Sequence, residues 1–144
     1  MSALAPYVIC RGAARAVEFY THVLGATETM RLAEPSGKIG HVELRLGDAI
    51  LMLADEYPDH GALAPTSVGG TPVRLHLYVD DVDAVVTRAL GAGATLARPV
   101  QDEFYGDRAG QIVDPFGHVW MLATRKEQLS PAEVEQRFAA LMRG

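Results

Sequence analysis

Ile50-Leu51-Met52-Leu53-Ala54 and Val119-Trp120-Met121-Leu122-Ala123 are two closely similar apolar stretches, 69 positions apart in a chain of 144 residues. The same displacement relates two further pairs of segments: Gly40 to Leu44 with Ala109 to Val113, and Tyr7 to Ile9 with His76 to Tyr78. Copies of about 55–60 residues are near the lower size limit of an independent domain. The repeat therefore predicts two similar modules that pack as halves of one folded unit, with a ligand site where the halves meet.

Each copy carries the same predicted order of elements, namely strand, helix, strand, strand, strand. We assign module one to residues 4–54 and module two to residues 73–125, joined by a linker rich in Pro and Gly at residues 55–72. The strand after the second helix is expected to be short, at Thr95 to Ala97. The predicted fold class is α+β: a single domain over residues 1–144 in which two βαβββ modules form a curved mixed sheet.

A separate C-terminal helix is predicted at residues 130–142. Ser130 is a suitable N-cap, Pro131 suits the first helical position, and Glu133 can complete a capping box. The apolar stripe of this helix is expected to pack on the body of the protein or on a second subunit, and it consists of Val134, Phe138, Leu141 and Met142.

The composition, 49% hydrophobic and 22% charged, is typical of a globular protein in water. No apolar run approaches the ~20 residues of a membrane span, so no membrane partner is expected. The first residues lack the pattern of a secretion signal and the single Cys10 cannot form an internal disulfide, which together predict a cytoplasmic protein. The net charge of −5 and the scattered basic residues argue against nucleic acid as a partner and slightly favour a cationic ligand.

Alternation of residue types along the strands predicts that each sheet has one apolar face under its helix and one free face. Tyr7 shares a face of the first strand with Ile9, opposite Val8 and Cys10. The side chains expected to line a common concavity on the free faces are His41, Glu43, Arg45, Arg74, His76 and Tyr78. The alternative is that they face bulk water on an open sheet, as charged residues usually do.

The chain resembles the vicinal oxygen chelate superfamily, which includes glyoxalase I, bleomycin-resistance proteins, fosfomycin-resistance enzymes and extradiol dioxygenases. The resemblance covers roughly Leu4 to Arg125 and rests on the repeated βαβββ order with Glu18-Phe19-Tyr20 and Leu24-Gly25-Ala26. Four further segments are similar to the PhnB-like branch of that superfamily: Gly40 to Leu44, Tyr78 to Ala84, Tyr105 to Arg108, and Asp114 to Trp120.

Enzymes of this superfamily hold a divalent metal with four side chains, usually His and Glu, and the resemblance places those four positions at Ala5, Met52, Arg74 and Met121. Ala has no donor atom, Arg is a permanent cation, and the Met thioether suits Cu(I) rather than Zn²⁺, Ni²⁺ or Mn²⁺. We therefore expect no metal and no other cofactor. A rebuilt metal site formed by His41, Glu43 and His76 is the alternative.

The leading hypothesis is a metal-free small-molecule binding protein that works as a homodimer, as the resemblance implies for bleomycin-resistance proteins. Met52 and Met121 are expected to line the floor of the cavity, and the residues expected to orient the ligand are Tyr7, His41, Glu43, Arg74, His76 and Tyr78. Arg108 is a candidate to bind an anionic group of the ligand. The alternative for Arg108 is an ion pair, with Asp107 as its expected partner, that fixes the loop.

A second hypothesis is a lyase or isomerase of the glyoxalase I kind, in which Glu43 and His76 carry protons or a rebuilt metal site acts. A third is an accessory subunit with a vestigial cavity. These hypotheses differ in whether a ligand is bound, and whether it is consumed.

Overall fold

The computed structural model describes residues 3–144 and shows module one as a four-stranded sheet with one helix. Its elements are β1 (Tyr7–Cys10), α1 (Ala13–Leu24), β2 (Thr27–Ala33), β3 (Ile39–Leu46) and β4 (Ala49–Asp55). The strand order is β1-β4-β3-β2, with β1 parallel to β4 and the other pairs antiparallel.

The linker contains a 3₁₀ turn at Pro58–His60 and a short helix, α2 (Pro65–Val68), before module two repeats the order of module one. The elements of module two are β5 (Arg74–Tyr78), α3 (Val82–Gly91), β6 (Thr95–Asp102), β7 (Asp107–Val113) and β8 (Val119–Arg125). Its strand order, β5-β8-β7-β6, is equivalent to that of module one. The predicted α+β class with two βαβββ units is confirmed, as two separately hydrogen-bonded sheets.

In the structure, strands β3 and β7 are related by a displacement of 68 positions, one fewer than the 69 that relates β4 to β8. Glu43 pairs with Met52 on the neighbouring strand, and Gln111 pairs with Met121 in the same way. Eight residues separate the first pair along the chain and nine separate the second, so the β7–β8 hairpin is one residue longer between these equivalent positions. The structural counterpart of Glu43 is therefore Gln111, and the constant displacement of 69 assumed for β3 was wrong.

Strand β6 is longer than the sequence predicts, because it continues from Thr95 to Asp102 through Pro99. The register of β6 against β7 shifts between Leu96 and Arg98 and again between Arg98 and Gln101. Proline has no N–H to donate to a sheet, and such irregularities on an edge strand accommodate it.

Helices α1 and α3 cover one face of the sheets and contact each other. The core beneath them contains the apolar residues of alternating strand positions, including Val8, Cys10, Val42, Leu44, Leu51, Leu53, Ile112, Trp120 and Leu122. Helix α1 ends at Gly25, whose positive φ of 73° closes the helix in the left-handed conformation that glycine adopts most easily. Within residues 3–144, no helix combines the length and apolar character needed to cross a membrane.

The turn after β7 contains a buried carboxylate, Asp114. Its Oδ2 accepts hydrogen bonds from the Tyr20 hydroxyl (2.5 Å) and from Trp120 Nε1 (2.9 Å). Its Oδ1 accepts from the backbone N–H groups of Phe116 (2.9 Å) and His118 (3.0 Å). Since Tyr20 belongs to α1, this side chain connects the two modules through the core.

Helix α4 (Pro131–Arg143) begins with the predicted capping box between Ser130 and Glu133. The guanidinium of Arg137 contacts Glu127 and the Phe104 carbonyl, and the Phe138 ring lies 5.7 Å from the Phe104 ring. No residue of the helix is buried, and the stripe residues Phe138, Leu141 and Met142 are 50%, 53% and 67% exposed. Contact with the body is thus limited to one end of the stripe.

We expect Asp114→Asn to lower the free energy of unfolding by about 2–4 kcal/mol, because an amide leaves at least one buried donor of Tyr20 or Trp120 unpaired. Urea denaturation followed by circular dichroism measures this loss. Tyr20→Phe is the control, since it removes one donor and leaves the carboxylate with three others; its expected loss is about 1 kcal/mol. A loss below about 1 kcal/mol for Asp114→Asn would contradict the assigned role.

Candidate functional site

The open face of module one carries a chain of three hydrogen-bonded side chains. The Tyr7 hydroxyl lies 2.8 Å from His41 Nδ1, and His41 Nε2 lies 2.9 Å from Glu43 Oε2. The strand pairing explains this, because Tyr7 and Glu43 both pair with Met52 and therefore project from the same face. The side chains of His41 and Glu43 are 20% and 25% exposed, so the chain is partly shielded yet accessible.

The direction of these hydrogen bonds follows from the acceptor at the end. A carboxylate on Glu43 can only accept, so His41 Nε2 donates to it. In the neutral ring Nδ1 then accepts, and the Tyr7 hydroxyl donates its proton to it. The oxygen of Tyr7 is left with lone pairs for an incoming ligand.

A cavity of about 680 Å³ opens beside this chain, between the sheet of module one and the linker. The residues lining it are Tyr7, Ile9, Leu32, Ala33, Glu34, Gly40, Ala54, Tyr57, His60 and Ala62. At its rim the Tyr57 hydroxyl donates to Glu34 Oε2 at 2.5 Å, and Tyr57 and Ala62 form an isolated β-bridge. The cavity is large enough for a small organic molecule.

The sequence analysis gives no site role to Glu34, Tyr57 and His60, because its candidates come from the predicted strands and residues 55–72 are interpreted as a linker. The aromatic side chains within a segment rich in Pro and Gly are the signal that could have identified a wall of the site.

The open face of module two has different chemistry. The Tyr78 hydroxyl donates to Asp107 Oδ2 at 2.8 Å, and the Arg125 guanidinium carbon lies 4.6 Å from the centre of the Tyr78 ring. The ring of His76 packs edge-on against Tyr78, 4.8 Å away, and both His76 and Met121 line a small pocket with Gln111. Arg74 lies at the exposed start of β5.

The structure brings the predicted site residues together in two groups instead of one. Tyr7, His41, Glu43 and Met52 belong to the sheet of module one, whereas His76, Tyr78 and Met121 belong to that of module two. The cavities on these faces are lined by one module or the other. Within residues 3–144 the two sheets are hydrogen-bonded separately, and no single sheet brings all these residues around one cavity.

Arg108 lies on the opposite face, under α3, so its assignment to the ligand site does not hold. It pairs with Thr124 in the sheet and donates to both oxygens of Asp83 (2.7 and 3.0 Å) and to Asp102 (3.2 Å). These hydrogen bonds hold the pKa of the Asp83 carboxyl below its ordinary value. Arg108 is thus a structural ion pair, and its partners differ from Asp107, which binds Tyr78.

Cys10 is fully buried in β1, and burial raises the pKa of its thiol to about 12. A thiol that remains protonated at neutral pH is a poor nucleophile. Covalent chemistry at this residue is therefore not a feature of the site.

The fold family implies a divalent metal, and the four positions that would hold it are occupied by Ala5, Met52, Arg74 and Met121. Met52 and Met121 occupy equivalent positions on the open faces, directly beside Tyr7 and His76. Neither they nor Ala5 and Arg74 supply a nitrogen or carboxylate ligand. Among residues 3–144, no three His, Cys, Asp or Glu side chains are grouped so as to hold a metal ion, and the rebuilt site of His41, Glu43 and His76 is not formed within the chain.

Two solved structures have the same architecture. TioX from Micromonospora sp. ML1 has a TM-score of 0.68 and 28% identity, over 87% of this chain and 99% of that chain. A PhnB protein from Bacillus cereus, described as a putative 3-demethylubiquinone-9 3-methyltransferase, has a TM-score of 0.67 over 85% of this chain and 99% of that chain; at 17% identity it is similar in fold alone.

A protein of Mycobacterium bovis, Uncharacterized protein Mb0911c, is 41% identical over 136 residues, which is 92% of this chain and 90% of that protein. The family model described as Glyoxalase/Bleomycin resistance protein/Dioxygenase superfamily matches residues 4–122, which span module one, the linker and all but the last three residues of module two. With its two βαβββ modules and their open faces, the chain therefore belongs to the glyoxalase/bleomycin resistance protein/dioxygenase superfamily.

Proposed function

We propose that this protein binds a small organic molecule without a metal, on the open face of module one. The observation that carries the proposal is the hydrogen-bonded chain Tyr7–His41–Glu43 beside a cavity of about 680 Å³. A concave, mostly apolar wall with a few convergent polar groups is the usual form of a ligand site. Met52, at a position of the metal ligands in related enzymes, adds a soft apolar surface instead of a ligand.

We also place the chain in the PhnB-like branch, on the segments that are similar to that branch. The segment Asp114 to Trp120 supports this placement, and in the structure it forms the turn that connects the modules. This placement describes ancestry, and the residues of the open face determine which ligand is bound.

A second copy of the chain is proposed to close the site. The open face of module one leaves apolar side chains exposed within residues 3–144: Tyr7 is 48% exposed, Met30 39% and Leu32 59%. Burying such a surface contributes roughly 25 cal/mol for each Å² removed from water. A homodimer that pairs this face with the face of module two in the other copy would also join the two polar groups around one cavity.

Acid–base catalysis is the second candidate function. The pairing of His41 with Glu43 favours it, because a carboxylate that orients an imidazole is a common arrangement for moving a proton. In this version His41, with Tyr7 at the end of the chain, replaces His76 as the partner of Glu43.

A fragment screen by ¹H–¹⁵N NMR tests the binding function. We expect fragments to shift the amide signals of Tyr7, Ile9, Leu32 and Tyr57, and His41→Ala to weaken their binding about fivefold to tenfold through loss of a hydrogen-bonding group. His22→Ala, an exposed position on α1, is the matched control and is expected to leave affinity unchanged. If no fragment shifts these amides, the proposal is wrong, whereas steady conversion of a fragment to product favours the catalytic candidate.

A metal titration tests the donor argument. We expect Zn²⁺, Ni²⁺, Mn²⁺ and Fe²⁺ to leave the melting temperature within about 1 °C, because a stabilising ion needs a site in the folded state. Differential scanning fluorimetry measures the shift. Stabilisation by several degrees that His41→Ala abolishes would contradict a metal-free site.

The assembly is tested by analytical ultracentrifugation. We expect the protein to sediment as a dimer and Leu32→Glu to weaken the dimer at least about tenfold, because a charge is placed in an apolar interface. Val68→Glu is the control, since Val68 has the same 59% exposure but lies in the linker helix α2. A monomer at all concentrations would exclude the proposed closure.

A further inference from the structure

The walls of the module-one cavity are mainly apolar. Ile9, Leu32, Ala33, Ala54 and Ala62 contribute hydrocarbon, and the rings of Tyr7, Tyr57 and His60 add aromatic surface. Such walls suit the body of an aromatic molecule, because ring edges and faces pack favourably against one another. The polar atoms at the rim then decide which substituents of that molecule can be accommodated.

At one end of the cavity, Tyr57 and Glu34 present oxygen atoms that can only accept. The Tyr57 hydroxyl donates its one proton to Glu34 Oε2 at 2.5 Å. That hydrogen bond raises the pKa of Tyr57 to about 12, so the proton stays on the phenol at neutral pH. A ligand therefore meets the lone pairs of Tyr57 and the second oxygen of Glu34, Oε1, to which no donor within residues 3–144 is bonded.

At the other end, Tyr7 is in the same state. When the His41 ring is neutral, Tyr7 donates its proton to His41 and His41 donates its N–H to Glu43, so the Tyr7 oxygen also accepts. Three oxygen acceptors thus line one cavity, and the single lining side chain with a possible N–H donor is His60.

The charge of the residues that line the cavity favours a cationic ligand. Neither Arg nor Lys is among the lining residues, and Glu34 contributes a carboxylate. Lys38 is the nearby cation; its ammonium lies 3.9 Å from the centre of the Tyr57 ring, held by a cation–π contact at the rim. The net charge of the whole chain, −5, favours the approach of a cation.

We infer that the cavity is selective for a cationic arylalkylamine, with the ring against the apolar wall and the ammonium group donating to Glu34 and Tyr57. An ammonium has N–H donors and no acceptor, which matches oxygen atoms that can only accept, whereas a carboxylate of the same size would face lone pairs and a like charge. The inference rests on the proposed function, and it adds the chemical class of the ligand.

Tryptamine and indole-3-propionate are the probes, because they share the ring and the two-carbon chain and differ in the charge at its end. Isothermal titration calorimetry of the full chain is expected to show tryptamine binding at least about tenfold more tightly than the acid. Glu34→Gln and Tyr57→Phe are each expected to weaken tryptamine about fivefold to tenfold, since each removes part of the acceptor pair.

Two further variants distinguish the effect of a charge at the cavity from the effect of the net charge of the protein. Lys38→Met is expected to tighten tryptamine binding severalfold, because a like charge leaves the rim. Glu18→Gln removes one carboxylate from the exposed side of α1 and is expected to leave the affinity unchanged. A circular dichroism spectrum and melting curve of each variant confirm that it is folded.

Equal or tighter binding of indole-3-propionate, or tryptamine binding that is unaffected in Glu34→Gln and Tyr57→Phe, would overturn the ligand class and leave the binding function standing. Absence of tryptamine binding at millimolar concentration would overturn the class as well. The proposed binding function is tested separately: it is wrong if the NMR screen finds no fragment that shifts the backbone amide signals of the cavity residues.

Discussion

The buried carboxylate of Asp114 connects the two modules, and the position of both open faces depends on it. It accepts hydrogen bonds from Tyr20 in module one, from Trp120 in module two, and from two N–H groups of its own turn. A buried carboxylate is tolerated only when its lone pairs are satisfied, so the four donors must meet in one arrangement. That requirement fixes α1 against the β7–β8 turn, and with it the sheet that α1 covers.

Within each module, an equivalent position at the end of the last long strand holds the start of the helix. In module one Asp55 accepts from the N–H groups of Gly12 and Ala13, where α1 begins, and from Ile39 at the start of β3. In module two Thr124 stands 69 positions later and its hydroxyl accepts from Val82, the first residue of α3. The first N–H groups of a helix lack partners within the helix, which explains why both copies retain a side-chain acceptor here.

The repeat preserves this scaffold while the chemistry of the open faces has diverged. Tyr7 and Glu43 of module one correspond to His76 and Gln111 of module two, as their shared pairing with Met52 and Met121 shows. Only module one has a carboxylate that orients an imidazole, and only there does the linker add an aromatic wall. The two modules therefore share one fold but present open faces of different chemistry. A cavity formed between the two faces would have a different set of side chains on each side.

The two modules, their order of elements and the cap of the C-terminal helix could be predicted from the amino-acid sequence, because strand alternation, helical spacing and capping residues are local patterns. The sequence also predicts that His41 and Glu43 lie on one face, since side chains two apart on a strand project together. Three features are visible in the folded structure alone: Glu43 pairs with His41 rather than His76, Arg108 binds Asp83 under α3, and Tyr57 and Glu34 complete the cavity. These contacts between strands, helices and linker depend on strand register and on hairpin length. One extra residue in a hairpin shifts a whole strand to another alignment.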